Sequence, residues 1–231
     1  YSPASMLPRD LEQFTYFIGY EKEVSVTLDM PNSQLCFFDH LINTKVHHIG
    51  RSICEYGSLT SEANHTPPHS IAPLCGDKWS NVVRGGGGYE RMMSLSEYEG
   101  KRIGHTAKER TEFKAVFFGE LFYNKYIHNY LTPLEIVFAN HYPNEAIALR
   151  EYKRKVGNKA LAVEVQALEG KFFHSIVVSY LRGKYIDLPF TIKHDSITLP
   201  SREASFVLDE INKLLREFFN DMNVSLKWSE L

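Results

Sequence analysis

Two aspartates lie where proteins often place ligand-binding carboxylates. Asp29 directly follows residues 24–28, a β-rich run with alternating character, and residues 30–33 then break that strand. Asp195 lies within residues 190–198, where apolar or β-branched residues flank a polar centre, which predicts two short strands that meet at a turn. A partly desolvated carboxylate needs a cation or a hydrogen-bond donor, so each aspartate is a candidate ligand. The ordinary alternative is that both aspartates cap a turn or a helix.

Residues 106–126 form the strongest predicted helix, and their composition suggests a binding surface. Two cations and two aromatic residues recur every four positions, which places them in one stripe on a helix face: Arg110, Lys114, Phe118 and Phe122. A second, apolar face can pack on a core and contains Phe113, Val116, Phe117 and Leu121. In a functional interpretation, the cations hold phosphates while a ring stacks on a base. In the structural alternative, the helix is amphipathic and its phenylalanines belong to the core.

The remaining elements must position these groups, and their order predicts an α+β layer arrangement. Helices are expected at 34–42, at 132–150 with an interruption at Pro143, at 159–181 and at 200–220, and a last strand is expected at 224–228. Residues 46–88 form the least regular part of the chain. At their end, Arg84 and the four glycines that follow it predict a flexible loop that serves as a hinge or linker.

Composition indicates a globular protein. The 231 residues are 43% hydrophobic and 13% aromatic, which suits one domain, or one domain with a large insertion. No apolar run approaches the roughly 18 residues of a membrane span, so no membrane partner is expected. The three cysteines are an odd and sparse set, which favours a reduced intracellular location.

Charge and metal-ligand patterns leave further alternatives open. With a net charge of −2, nucleic-acid binding requires a local basic surface. One dense basic cluster offers either a solvated face or a contact with phosphates, and it consists of Arg150, Lys153, Arg154, Lys155 and Lys159. Four residues match the ligand types of a zinc site, although no close cysteine pair supports it: Cys54, His65, His69 and Cys75.

Three segments, in chain order, resemble the three motifs shared by family A DNA polymerases and the single-subunit, phage-type RNA polymerases. Residues 28–34 resemble the first motif, whose aspartate ends a palm strand and binds metal. The stripe from Arg110 to Phe122 resembles the fingers helix, with its cations and aromatic residues at four-residue steps. Residues 193–196 resemble the palm hairpin, which reads His-Asp-Glu in the DNA enzymes and His-Asp-Ser in the RNA enzymes.

The resemblance implies a polymerase palm, which is a small antiparallel sheet with packed helices, and a helical fingers insertion. The implied division assigns residues 1–45 and 159–231 to the palm and residues 46–158 to the fingers. Residues 1–8 are similar to the stretch ahead of the first motif that contacts template and primer, and the abrupt start predicts a fragment of a larger protein. We expect a divergent phage or mobile-element source, and therefore the cytoplasm of a bacterial host cell.

The resemblance also implies the chemistry. The chain would be a template-directed nucleotidyltransferase that adds nucleotides to a 3′ end with two Mg²⁺ ions. The metal ligands would be Asp29 and Asp195. Arg110 and Lys114 would hold the phosphates of the incoming nucleotide. Phe118 and Phe122 would stack on its base or form a wall of its binding site. The primer or template would meet His194, Gln166 and Ser196. The expected partners are therefore primer–template or DNA template, and nucleoside triphosphates.

Three residues bear on the choice between a DNA and an RNA product. Gln34 falls where the DNA enzymes place a glutamate that crowds the 2′ position of the sugar, so a bulky side chain there would exclude a 2′ hydroxyl by clash. Phe122 lies where the family carries a tyrosine and lacks the hydroxyl that helps RNA enzymes sense ribose. Ser196 favours an RNA product, because the RNA enzymes have a serine after His-Asp in this motif. We expect a DNA polymerase, with an RNA polymerase or a non-catalytic nucleic-acid-binding domain as the alternatives.

Overall fold

The computed structural model describes residues 17–20, 23–46, 79–97, 107–128, 130–220 and 223–229. The fold is α+β: mostly helical, with one small antiparallel sheet. The chain forms two compact units, the first made of Tyr1–Gln34 with Gln166–Leu231 and the second of Leu35–Val165. None of the described helices is both long and apolar enough to cross a membrane.

The first unit contains a four-stranded sheet in the order β2-β3-β1-β4. Its strands are β1 (Ser25–Asp29), β2 (Thr191–Lys193), β3 (Ser196–Pro200) and β4 (Lys227–Ser229). All three pairings are antiparallel, and the register of β1 on β3 runs from Ser25 opposite Pro200 to Asp29 opposite Ser196. The hydroxyls of Thr27 and Thr198 share a hydrogen bond of 2.9 Å across this register. The predicted strand before Asp29 and the predicted hairpin are therefore confirmed.

Nine helices lie in the described residues, and several continue into wider π turns. They are α1 (Ser33–Leu41, then a π turn over Ile42–Val46), α2 (Trp79–Arg84), α3 (Gly88–Glu97), α4 (Ala107–Phe117, then a π turn over Phe118–Phe122), α5 (Pro133–His141), α6 (Pro143–Val156), α7 (Asn158–Gly170, then a π turn over Lys171–Val177), α8 (Val178–Lys184) and α9 (Ser201–Phe219). The predicted break at Pro143 is confirmed, since a proline suits the first turn of a new helix.

The core of the first unit lies between the sheet and α9, which contacts β1 and β3. Buried residues recur along α9 at the helical period, namely Ala204, Val207, Ile211, Leu215 and Phe219. The sheet contributes Leu28, Ile197 and Leu199, all fully buried. The side chain of Asn212, buried on the same helix, accepts the backbone N–H of Leu226 at 2.6 Å and so fixes the approach to β4.

The core of the second unit is aromatic. Its largest buried side chains include Phe37, Phe38, Trp79, Phe117, Phe122 and Phe138. Phe38 meets Phe122 edge to face with ring centroids 4.3 Å apart, and Trp79 meets Phe138 at 5.1 Å. Such pairs contribute about 0.5–1.5 kcal/mol each beyond the area they bury. Residues 79–84, which lie within the stretch predicted to be irregular, form a helix, α2, that starts with this buried tryptophan.

The glycine run after α2 differs from its sequence-based interpretation. The backbone N–H groups of Gly85, Gly86 and Gly87 donate to carbonyls of α2 at 3.0–3.1 Å, and Gly88 already belongs to α3. Gly86 has a φ of 89°, a conformation in which a side chain would be strained. The residues from Gly85 to Gly87 are therefore an ordered turn, and a role as a hinge stays a prediction. The run is a hydrogen-bonded turn that joins two short helices.

Candidate active site at the end of the sheet

The sheet brings the two candidate aspartates to the same end of neighbouring strands. Asp29 is the last residue of β1 and pairs with Ser196, the first residue of β3. The next residue, Met30, donates its backbone N–H to the backbone carbonyl of Asp195 at 3.3 Å. Both aspartates are half-buried. Residues separated by most of the chain are thus adjacent, since paired strands lie only about 4.8 Å apart.

A tight turn presents Asp195 beside its neighbours. His194 and Asp195 form the two-residue turn between β2 and β3, and His194 has a φ of 54°, as the favoured hairpin turns require. The hydroxyl of Ser196 donates to the carbonyl of Lys193 at 2.8 Å and closes the turn. The side chain of His194 is exposed. The turn therefore holds Asp195 in a fixed backbone position next to the end of β1.

A third carboxylate, Glu169, belongs to the same unit and was not predicted as a site residue. It is buried on α7, and its carboxylate accepts a hydrogen bond from the hydroxyl of Ser33, the first residue of α1. The sequence did contain a signal: Glu169 continues the buried positions Leu161 and Val165 at four-residue steps. An acid on the apolar face of a helix is costly unless it is bonded, so it marks a polar contact inside the fold.

The surroundings of Glu169 pull its pKa in opposite directions. Burial raises the pKa of the carboxyl above its ordinary value, while the hydrogen bond from Ser33 and the charges of His194 and His174 lower it. Burial is the largest of these effects, so the pKa is raised overall. The influence of His194 shows that Glu169 lies within electrostatic reach of the turn that carries Asp195.

The donor set at this end of the sheet fits magnesium. Asp29 and Asp195 offer hard carboxylate oxygens, and magnesium in proteins is commonly held by one or two carboxylates together with oxygens of a bound phosphate and water. Among the described residues, no group of three or more histidines, cysteines, aspartates and glutamates is arranged to hold a metal ion.

Two predicted contact residues lie in the first unit at helix positions. Gln34 follows Ser33 in the first turn of α1 and is half-buried. Gln166 lies on α7, three residues before Glu169, and its side chain is exposed. Residues three apart on a helix are neighbours, so Gln166 lies at the solvent side of the buried acid.

The predicted cationic and aromatic stripe lies in the second unit, and both of its cations lie close to the ring of Tyr89. The guanidinium of Arg110 and the ammonium of Lys114 lie 5.2 and 4.9 Å from the centre of the Tyr89 ring. Arg110 also forms an ion pair of 2.5 Å with Glu90. Both cations are half-buried. The prediction that they share one helix face is confirmed, and their role with nucleotides stays a prediction.

The aromatic residues of the stripe do not both lie on the face predicted for them. Phe122 is 2% exposed and packs against Phe38 and Phe117, so its ring belongs to the core. The reason is the π turn at Phe118–Phe122, whose wider i→i+5 bonding carries Phe122 towards the packed face, contrary to the four-residue stripe. Phe118 is half-buried and stacks on Tyr123. Val116, assigned to the packed face, is 46% exposed.

The basic cluster at the end of α6 does not form one solvated face. Arg154, Lys155 and Lys159 are exposed, but Lys153 is buried and donates to the carbonyl of Leu121 at 2.5 Å and to the side chain of Asn124. Burial lowers the pKa of Lys153 to about 8 against the opposing attraction of Glu135. Lys153 therefore serves the fold and is not a surface contact.

The four residues of the alternative zinc site lie outside the described residues. In comparisons with known proteins, no protein-family model, no curated sequence and no solved structure matches this chain.

Proposed function

We propose that this protein is a metal-dependent nucleotidyltransferase whose first unit holds the catalytic metal ligands. The observation that carries the proposal is the register of β1 on β3, which sets Asp29 beside the turn that contains Asp195. The resemblance to the two polymerase families supports the same residues from the sequence. The palm assignment of this unit is part of the proposal.

Asp29 and Asp195 would bind magnesium and hold it at the edge of the sheet. Bound magnesium would lower the pKa of an attacking hydroxyl and neutralise charge on a leaving pyrophosphate. The closed turn from Lys193 to Ser196 would keep Asp195 in place, because its backbone is fixed by the Ser196 hydroxyl and by Met30. The exposed His194 would contact the primer end. Rigid backbone positions favour this chemistry, since a ligand displaced by about 1 Å costs much of the rate.

The structure offers a second explanation for two residues that were used to argue about the product, Phe122 and Ser196. The ring of Phe122 packs in the core, so packing also explains a phenylalanine at this position. The hydroxyl of Ser196 has a local role in closing the hairpin, which explains a serine there without an RNA product. The preference for deoxynucleotides therefore rests on Gln34.

The test is primer extension by the Asp29→Asn and Asp195→Asn variants. Asparagine caps turns and helices about as well as aspartate, so the variants keep a capping role while losing a metal-binding charge. We expect each to reduce extension in the presence of Mg²⁺ by a factor on the order of a hundred or more, as for the loss of a charged metal ligand. The matched control is Asp209→Asn, an exposed aspartate on α9. Extension at the wild-type rate by either site variant would mean that its aspartate is a structural cap and not a metal ligand. A wild-type protein that binds primer–template but does not extend it would favour a non-catalytic nucleic-acid-binding domain.

A further inference from the structure

The second unit contains an open pocket that is lined mainly by the segment that joins α4 to α5. Its volume is about 520 Å³, and it is lined by Tyr126, His128, Tyr130, Leu131, Ile136 and Arg150. We call it the aromatic–basic pocket. Four of these six residues carry an aromatic ring or a guanidinium, so its walls offer flat stacking surfaces and a positive charge.

Arg150 holds the segment in place from α6. Its guanidinium donates to the carbonyls of Tyr130 and Ile127 at 3.2 and 3.3 Å and lies 5.0 Å from the centre of the Tyr126 ring. It also lies 3.6 Å from the buried carboxylate of Glu135. These contacts join the rings of the pocket to two helices, so the arrangement of the rings is built into the fold.

The rim of the pocket is basic although the whole chain is slightly acidic. Three exposed cations lie on the two elements that carry the pocket, namely Lys125 on the joining segment and Arg154 and Lys155 at the end of α6. Arg154 is exposed and pairs with Glu151 at 2.7 Å. It also lies within electrostatic reach of Tyr126. At least one exposed cation, Arg154, therefore lies near a ring of the pocket.

Large side chains at the pocket remain open to solvent. Tyr130 is 54% exposed and Ile127 is 51% exposed. His128 is also exposed. Exposed rings beside cations are typical of surfaces that bind single-stranded nucleic acid, because every base has a face that can stack and every linkage carries a negative charge. A duplex hides its base faces and would use only the cations.

We propose that the aromatic–basic pocket binds single-stranded nucleic acid, with a base stacked on Tyr130 and a flanking phosphate held by Arg154. The proposal shares with the proposed function only the kind of partner. It needs no metal ion and none of the residues at the end of the sheet. A protein partner is the competing occupant, but the excess of cations at the rim favours a polyanion.

The test is fluorescence anisotropy with a fluorescein-labelled single strand of about 12 nucleotides, a length within the range of such sites. The full chain is titrated at low salt in EDTA and without nucleoside triphosphates, so that the result is independent of any catalysis. Tyr130→Leu removes the ring but keeps an apolar side chain, and Tyr130→Phe keeps the ring. Arg154→Gln removes one rim cation. The matched charge control is Lys213→Gln, an exposed lysine on α9.

We expect Tyr130→Leu to weaken binding roughly fivefold to a hundredfold, as for the loss of one stacked base, and Tyr130→Phe to bind within about twofold of wild type. The affinity falls as salt is added, and Arg154→Gln should make the slope of log affinity against log salt concentration less negative by about 0.7. Lys213→Gln should bind as wild type. The proposal is overturned if the wild-type chain does not bind the strand, if Tyr130→Leu binds as tightly as wild type, or if an unlabelled duplex competes as well as the single strand.

Discussion

At the scale of single residues, Glu169 makes the stability of the first unit depend on pH. Its pKa is raised in the folded state above the ordinary value of 4.5. The folded protein therefore holds this proton more firmly than the unfolded chain, and the resulting stabilisation is present below about pH 4.5. It is lost as the pH rises through the raised pKa, because the buried carboxyl then ionises in an apolar environment.

We predict that Glu169→Gln removes this dependence while keeping an acceptor for the Ser33 hydroxyl. The free energy of unfolding of wild type, relative to the variant, should fall as the pH is raised from about 4 to 8 in EDTA. Denaturant titration at each pH measures it, and Glu217→Gln, at an exposed position of α9, is the control. If the difference in unfolding free energy between wild type and Glu169→Gln stays constant across this range, ionisation of the Glu169 carboxyl does not destabilise the folded protein.

At the scale of elements, the start of α5 depends on a reciprocal cap. The hydroxyl of Thr132 accepts the backbone N–H of Glu135 at 3.2 Å, and the Glu135 carboxylate accepts the backbone N–H of Thr132 at 2.9 Å. The Thr132 hydroxyl also donates to the carbonyl of Glu120 at 3.1 Å, which connects the cap to the π turn after α4. One side chain thus fixes both ends of the segment that carries the aromatic–basic pocket.

We predict that Thr132→Ala lowers the free energy of unfolding by about 1–2 kcal/mol, because the cap and its bond to Glu120 are both lost. Thr132→Ser keeps the hydroxyl and should cost only a few tenths of that amount. Urea denaturation monitored by circular dichroism compares the two. Equal losses for alanine and serine would mean that the methyl group of threonine, and not its hydroxyl, stabilises this helix start.

The helix faces show why elements are easier to predict than the directions of their side chains. The strand before Asp29 and the hairpin around Asp195 follow from alternation and turn residues, which are local signals. The position of Phe122 depends on a π turn, which inserts one residue into the helical period and leaves no mark in composition. Lys153 is similar, since its charge predicts the surface, whereas its three polar contacts come from residues distant in sequence.

At the scale of the whole molecule, the two compact units and the palm and fingers division that the resemblance implies have different borders. The resemblance sets its borders at 45/46 and 158/159. The observed borders at 34/35 and 165/166 fall inside α1 and α7. A helix keeps its period through such a border, so periodicity gives no sign of it, and only tertiary contacts do.

The product of the proposed reaction also concerns the whole molecule, and the expected preference for deoxynucleotides depends on Gln34. Gln34 is half-buried in the first turn of α1, five positions after Asp29. If its side chain occupies the space of a 2′ hydroxyl, the wild-type protein prefers deoxynucleotides because the ribose clashes. We predict that Gln34→Ala raises the efficiency of ribonucleotide addition at least tenfold, a change of about 1.4 kcal/mol, and leaves deoxynucleotide addition within a few-fold. Asp209→Asn, at an exposed position of α9, is the control. Single-nucleotide extension with matched dNTP and NTP concentrations measures both rates. An unchanged ratio in Gln34→Ala would mean that selection of the sugar, whichever sugar it is, arises elsewhere in the protein.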